Sequence, residues 1–301
     1  MVERVKTGGR WDPKEQMIYF IASGVDNLQA AADSQNYLLV AVNEIRSEKS
    51  LSQVNAWGAA GKTVFIDSGV FNLTNEHARN HGVKMNDALA LAPEEIEGFD
   101  KLFGDYCRIV RTLEKTCWGY IEIDQGGRDN KIRTRERLES MGLRPIPVYH
   151  PLNDGWDYFD ELAEKYDRIC FGNVVQADRY TRKRLLATAW ERRRRYPDLW
   201  IHLLGYTANE ALNAFPINSC DSSTWLATVR WHKGLVPKTA LKNYSHLGPE
   251  FRYNYDSPAD APDGHAKGIA MGAYEASMIT RQWRAIEAEY RALGCDPGMY
   301  L

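Results

Sequence analysis

The 301-residue chain has few cysteines, no long apolar run and no surplus of either charge, and each lack removes a class of protein. The five cysteines (Cys107, Cys117, Cys170, Cys220 and Cys295) are widely scattered, with no C-x-C or C-x-x-C pair. That spacing argues against a disulfide framework and against a clustered cysteine zinc site. No stretch approaches a bilayer-spanning length, and residues 1–10 carry no apolar signal core. The chain therefore reads as cytoplasmic, with no membrane partner. A net charge of −2 provides no global attraction to nucleic acid, so any polyanion contact must come from a local basic cluster. The seven histidines form no H-E-x-x-H or H-x-H pattern. His77 and His81, at i,i+4 spacing, are the pair that could hold a metal, and a surface helix face explains them more simply. Internal repeats and low-complexity tracts are absent as well.

What is present is an alternation. Short, β-rich apolar runs occur at residues 17–22, 37–42, 63–66, 119–123, 145–149, 168–171, 200–204 and 216–220. Each is nearly continuous, as expected of parallel strands buried on both faces. Amphipathic stretches separate them. Over 93–114, Ile96, Phe99, Phe103, Tyr106, Val110 and Leu113 recur every three or four positions, behind a Pro93-Glu94-Glu95 start suited to a first helical turn. Eight strand–helix repeats predict a single α/β domain over 1–301, a (β/α)8 TIM-type barrel; an open doubly wound sheet is the alternative. Two segments exceed the minimal barrel: an insertion at 72–92, expected to be a loop with some helix, and a Gly-, Pro-, Asp- and Tyr-rich loop at 234–267. A C-terminal helix is predicted over 266–293, ended by Gly294.

Polar residues follow the apolar runs in a consistent way. The third run ends in Asp67-Ser68-Gly69, the fourth in Asp124-Gln125-Gly126-Gly127, and the fifth in His150-Pro151. The sixth ends in Gly172-Asn173, the seventh in Gly205-Tyr206-Thr207, and the eighth in Asp221-Ser222-Ser223-Thr224. Asp and Gly after a strand are common turn and cap residues, and singly each is explained that way. In a barrel, however, all of them gather at the mouth that carries the active site. Clustered carboxylates raise one another's pKa and divide into roles, one ionised as nucleophile and one protonated as acid. That equipment suits cleavage of a glycosidic bond with retention.

In order, these strand ends resemble the tRNA-guanine transglycosylase superfamily, specifically its phage and bacterial branch that inserts 7-deazaguanines into DNA. Phe65-Ile-Asp-Ser-Gly-Val-Phe71 is similar to the family's Asp-Ser-Gly-Gly/Ala-Phe motif, and Glu122-Ile-Asp124 to its Phe-Asp motif. Pro147-Val-Tyr-His150 and Phe171-Gly-Asn173 stand where segments floor the base pocket. His202-Leu-Leu-Gly-Tyr-Thr207 resembles a Leu-Met-Gly-Val-Gly strand, and Asn218-Ser-Cys-Asp-Ser-Ser-Thr-Trp225 a Ser-Val-Asp-Ser-Thr-Ser-Trp run. The resemblance implies Asp221 as nucleophile, Asp67 as acid/base and Asp124 as reader of the purine edge. Ser68, Gly69, His150, Gly172, Asn173, Gly205, Tyr206 and Trp225 would complete the substrate pocket.

Two departures stand out. A paired glycine of the family is Gly172-Asn173 here, and the zinc subdomain of the tRNA enzymes has no counterpart, which favours DNA over tRNA. The implied reaction replaces guanine in DNA by a free 7-deazaguanine such as 7-cyano-7-deazaguanine, through a covalent glycosyl-aspartate, with neither metal nor cofactor. An accessory protein is left open. The alternatives are the same exchange on RNA, a retaining glycoside or nucleoside hydrolase, and a non-catalytic nucleic-acid-binding barrel. Arg179, Arg182, Lys183 and Arg184, in the densest basic run, are the candidate phosphate contacts, although such a run is commonly a solvated helix face. A second basic run comprises Arg128, Lys131, Arg133, Arg135 and Arg137.

Overall fold

Alternation within the apolar runs sorts their side chains into two layers. Ile18, Phe20, Leu39, Phe65, Trp118, Ile121, Ile146, Val148, Cys170 and Trp200 pack together in one cluster. Their strand neighbours Tyr19, Ile21, Leu38, Val40, Val64, Ile66, Tyr149, Ile169 and Ile201 join a larger cluster with the helices. Successive strand residues point to opposite faces, so the first group fills the inside of a curled sheet and the second its outer wall. Both faces are therefore apolar, which is why the runs read as continuous.

The computed structural model describes residues 4–10, 18–33, 35–193, 195–206, 217–226 and 292. Eight parallel strands, β1 (Ile18–Ala22), β2 (Tyr37–Ala41), β3 (Thr63–Asp67), β4 (Gly119–Tyr120), β5 (Val148–Tyr149), β6 (Arg168–Phe171), β7 (Trp200–Leu203) and β8 (Ser219–Ser222), lie in the order β4-β3-β2-β1-β8-β7-β6-β5. An isolated parallel bridge between Ile121 and Ile146 joins the two ends, with the Glu122 N–H donating to Ile146 O (3.0 Å) and the Ile146 N–H to Tyr120 O (2.8 Å). The fold is thus a (β/α)8 barrel of TIM type, closed at its thinnest seam. The helices are α1 (Val25–Ala31), α2 (Glu48–Ala59), α3 (Val70–His81), α4 (Met85–Ala90), α5 (Phe99–Leu113), α6 (Gly127–Ser140), α7 (Trp156–Lys165) and α8 (Arg179–Arg193).

Local chemistry sets several boundaries. The amphipathic stretch at 93–114 divides into a 3-10 turn, Pro93–Glu95, and α5, because Gly98 adopts a left-handed φ of 83° between them. The insertion is α3 and α4, more helical than a loop. β8 begins later than its apolar run, at Ser219, and carries the ladder through Asp221 to Ser222. The floor of the barrel is plugged by Arg168, fully buried, whose guanidinium donates to Thr7 Oγ1 (2.6 Å) and to the carbonyls of Thr7, Gly8 and Trp118. The loop expected at 234–267 and the helix expected at 266–293 lie outside the described residues, apart from Ala292. Among the described residues no helix is long and apolar enough to cross a membrane.

Candidate active site

The same alternation that fills the barrel builds its mouth. Counting inward positions forward by two takes Phe65 to Asp67, Val148 to His150, Cys170 to Gly172, and Ser219 to Asp221. Register agrees: Asp67 lies beside Ala41, and Asp221 beside Phe20. These strand-end residues line a cavity of about 1190 Å³, together with Asp124, Glu44, Ser68, Asn173 and Gly205. The mouth lies at the C-terminal ends of the strands, where this fold holds its chemistry.

The three aspartates occupy three different environments. Asp124 accepts from the His150 Nε2–H at 3.0 Å. Burial pushes its pKa upward, but the hydrogen bond and charge of His150, followed by the charge of Lys131, outweigh burial and hold it below the ordinary value. Lys131 is itself buried and donates to Asp154 Oδ2 (2.5 Å), which also accepts the backbone N–H of His150 (2.8 Å). Asp154 and Lys131 thus brace the loop that carries His150. Gly172 is needed beside it: a Cβ there would sit 2.6 Å from both Cδ2 and Nε2 of the imidazole.

Among the described residues Asp67 has no such cation beside it. Its Oδ2 accepts the Gly69 N–H at 3.0 Å. Burial raises its pKa to about 7, reinforced by the negative charges of Asp124 and Asp221 and opposed by the backbone N–H groups of Gly69 and Ser68. Asp221, buried, accepts from His202 Nε2 (3.1 Å) and from the Gly205 N–H (2.9 Å), both on Oδ1. The mouth therefore holds a carboxyl that exchanges a proton near neutrality, beside two carboxylates with imidazole partners. Glu122 is not part of it: buried against Arg135 (2.8 Å) and the Val148 N–H (2.6 Å), it ties the barrel wall to α6.

No family model matches this chain, and no curated protein matches it. Among solved structures, one described as native KDPGal is similar at 11% identity, covering 92% of this chain and 98% of that one, with a TM-score of 0.43. A cube-shaped, highly porous designed cage made by fusing symmetric oligomeric domains is similar at 12% identity, covering 93% of this chain and 76% of that one, with the same TM-score of 0.43. Neither likeness bears on the chemistry of the mouth.

The residues expected from sequence are distributed as follows. Asp67, Ser68, Asp124, His150, Gly172, Asn173, Gly205 and Asp221 line the cavity. Gly69, Tyr206 and Trp225 do not. Gly69 turns the chain at φ 76° and presents its N–H to Asp67, close against Asn43. Tyr206 is buried beneath the Arg182 guanidinium, and Trp225 is buried with its Nε1–H donating to Ala22 O at 3.1 Å. Asn173 adopts φ 50°, a left-handed conformation that glycine takes freely and asparagine tolerates, so it can stand where a glycine might.

Of the basic residues on α8, Arg182 donates to the carbonyls of Val175 (2.8 Å) and Ala177 (2.9 Å), whereas Arg179, Lys183 and Arg184 are exposed. The second basic run is bound up in the fold. Arg128 pairs with Glu161, Lys131 with Asp154, Arg133 with Glu94 and Arg135 with Glu122, while Arg137 lies 4.0 Å over the Phe103 ring. His77 Nδ1 accepts the Glu97 N–H (3.1 Å) and its ring stacks on His81. Among the described residues no group of three His, Cys, Asp or Glu is placed to hold a metal.

Sequence reasoning gave no site role to His202, whose position inside an apolar run hid it, or to Gln125, Lys131 and Asp154, whose partners are distant in sequence. It also left Phe71 unassigned. Phe71 is 54% exposed at the cavity rim, with Leu152 and Val175 also exposed there.

Proposed function

We propose that this barrel is a base-exchange transglycosylase that replaces guanine in DNA with a 7-deazaguanine through a covalent glycosyl-aspartate on Asp221. The observation that carries the reading is the division of labour among three aspartates in one mouth: Asp67 shifted to about 7 between two carboxylates that keep imidazole partners. A retaining exchange needs a nucleophile that stays ionised and an acid/base that gives and regains a proton near neutral pH. The order of the strand-end motifs, which resembles that of the guanine transglycosylases, supports the same assignment.

In the first half-reaction an Asp221 oxygen gives a lone pair to the anomeric carbon. The glycosidic C–N bond breaks, its electron pair leaves with guanine, and Asp67 supplies the proton that guanine takes up. In the second, the incoming base gives its N–H proton to Asp67 and attacks the anomeric carbon, and the ester C–O pair returns to Asp221. Asp124, oriented by His150, accepts N–H groups of the purine edge. Phe71 offers the base a flat apolar wall. Because the glycosidic carbon is hidden in a duplex, the nucleotide has to be flipped or single-stranded.

The test is incubation with guanine-containing DNA and 7-cyano-7-deazaguanine, followed by nucleoside mass analysis, in parallel with tRNA. Incorporation into DNA, abolished by Asp221→Ala, is expected. Incorporation into tRNA alone would move the substrate to RNA. Release of guanine without base incorporation would assign a hydrolase, and inertness toward all of them would overturn the proposal.

A further inference from the structure

Behind Asp221 runs a chain of hydrogen bonds that takes no direct part in the exchange steps. Trp200 and His202 are alternate residues of β7, Ser219 and Asp221 alternate residues of β8, and the register sets His202 beside Ser219. Trp200 Nε1–H donates to Ser219 Oγ at 2.7 Å. Ser219 Oγ lies 2.9 Å from His202 Nδ1, and His202 Nε2 lies 3.1 Å from Asp221 Oδ1. An indole nitrogen only donates, so Ser219 accepts there and has its own hydrogen to turn toward Nδ1. A neutral imidazole accepting at Nδ1 must carry its proton on Nε2, facing the carboxylate. His202 is 1% exposed, with its ring edge-on to Phe20 and Phe65, and cannot exchange these partners for bulk water.

The consequence falls on the two oxygens of Asp221. Oδ1 takes both the His202 Nε2–H and the Gly205 N–H (2.9 Å), while among the described residues no hydrogen bond falls on Oδ2. We infer that His202 is the positioning residue of Asp221, holding Oδ1 so that Oδ2 is the oxygen presented to the cavity. This rests on Asp221 being the reacting carboxylate, and not on which polymer it reacts with. When Oδ2 bonds to the anomeric carbon, Oδ1 becomes the ester carbonyl oxygen and keeps both donors. When that C–O bond breaks and its electron pair returns to the carboxylate, the same two N–H groups meet the charge as it reforms.

The test combines kinetics with nitrogen NMR. In guanine exchange into DNA, His202→Leu is expected to lower kcat by about 10- to 100-fold, the range for losing a hydrogen bond to a charged group, with KM for DNA unchanged. His202→Gln, whose amide N–H reaches the place of Nε2–H, should recover most of the loss. In protein labelled with 15N-histidine, the signal removed by His202→Gln should be that of a neutral ring protonated on Nε2; this holds whether or not DNA is the substrate. Thermal unfolding of each variant separates misfolding from a loss of rate. A purely structural His202 would give folded variants with unchanged kcat, and that result overturns the inference, as does a ring protonated on Nδ1 alone. Exchange that fails in Asp221→Ala but runs at the wild-type rate in His202→Leu overturns this inference only; exchange that survives in Asp221→Ala overturns both it and the proposed function.

Discussion

Asp67 holds its proton up to about pH 7 because burial, and then the charges of Asp124 and Asp221, disfavour its anion. In the unfolded chain the same carboxyl titrates near 3.8. Between those values the folded protein binds a proton that the unfolded chain has lost. Stability therefore falls as pH rises through this window, and the full destabilisation is present above about 7. A shift of this size corresponds to at most about 4 kcal/mol. With the carboxyl partly open to the cavity, on the order of 2 kcal/mol is the discounted expectation. Asp67→Asn should thus be more stable than wild type at pH 8 by that amount, with the gap closing toward pH 4, as measured by denaturant unfolding at both values. Equal stability at pH 8 would show that the anion costs nothing where it sits. A steric prediction belongs beside it. Gly172→Ala places a methyl 2.6 Å from the His150 ring and forces it off Asp124, so KM for the incoming base should rise about tenfold while the protein stays folded. An unchanged KM would remove the His150–Asp124 pair from base recognition. Asp67, Asp124, His150 and Asp221 were legible because each ends an apolar run. His202 was not, since a histidine at an inward strand position looks like any other member of the run until the strand beside it is known.

The helices and strands explain where boundaries could be read and where they could not. β6 matches its apolar run end to end, whereas β4 and β5 are shorter than theirs. Beyond Tyr120 the ladder narrows to the Ile121–Ile146 bridge, and Glu122 turns to Arg135 and the Val148 N–H. That pairing depends on a helix thirteen residues away in sequence, which no local pattern encodes. The helical insertion is likewise fixed from a distance. The Gln125 side chain donates to the carbonyls of Ala88 and Leu91, both at 2.9 Å, and accepts from Thr74 at 2.7 Å, so one buried amide clips α3 and α4 to the end of β4. Gln125→Ala leaves those groups without partners and should cost about 2 kcal/mol of stability. Amide exchange over 85–91 should speed up more than over β1 or β2. Uniform acceleration throughout the barrel would instead mean that the insertion opens only with global unfolding.

At the scale of the whole molecule, the net charge of −2 conceals a separation of sign. The cavity is lined by Glu44, Asp67, Asp124 and Asp221, and among the described residues no lysine or arginine lines it. Such a mouth repels phosphate and suits a single base with its sugar, whose transition state carries positive charge. If the substrate is a polynucleotide, as proposed, its backbone must then be held outside. α8 offers a place, since Arg179, Lys183 and Arg184 are exposed around Tyr180, which is itself 72% exposed. The barrel was legible because strand and helix patterns alternate eight times, but this separation was not: both basic runs look alike in sequence, and only the fold sets which of their side chains stay exposed. Ion pairs and the Phe103 contact hold the run on α6, whereas Lys183 and Arg184 on α8 are exposed, and under the proposed function α8 is where a polyanion would be met. If those three side chains neutralise three phosphates, log K for single-stranded DNA should fall with log salt at a slope of about −2. Reversing Lys183 and Arg184 to glutamate should bring that slope to about −1 or shallower and weaken DNA binding, while affinity for the free base stays the same. Fluorescence anisotropy across a salt series, paired with calorimetry on the base alone, reads both quantities. A slope unaltered by the double reversal would take α8 out of the interface and leave the acidic mouth in need of a different support for the strand.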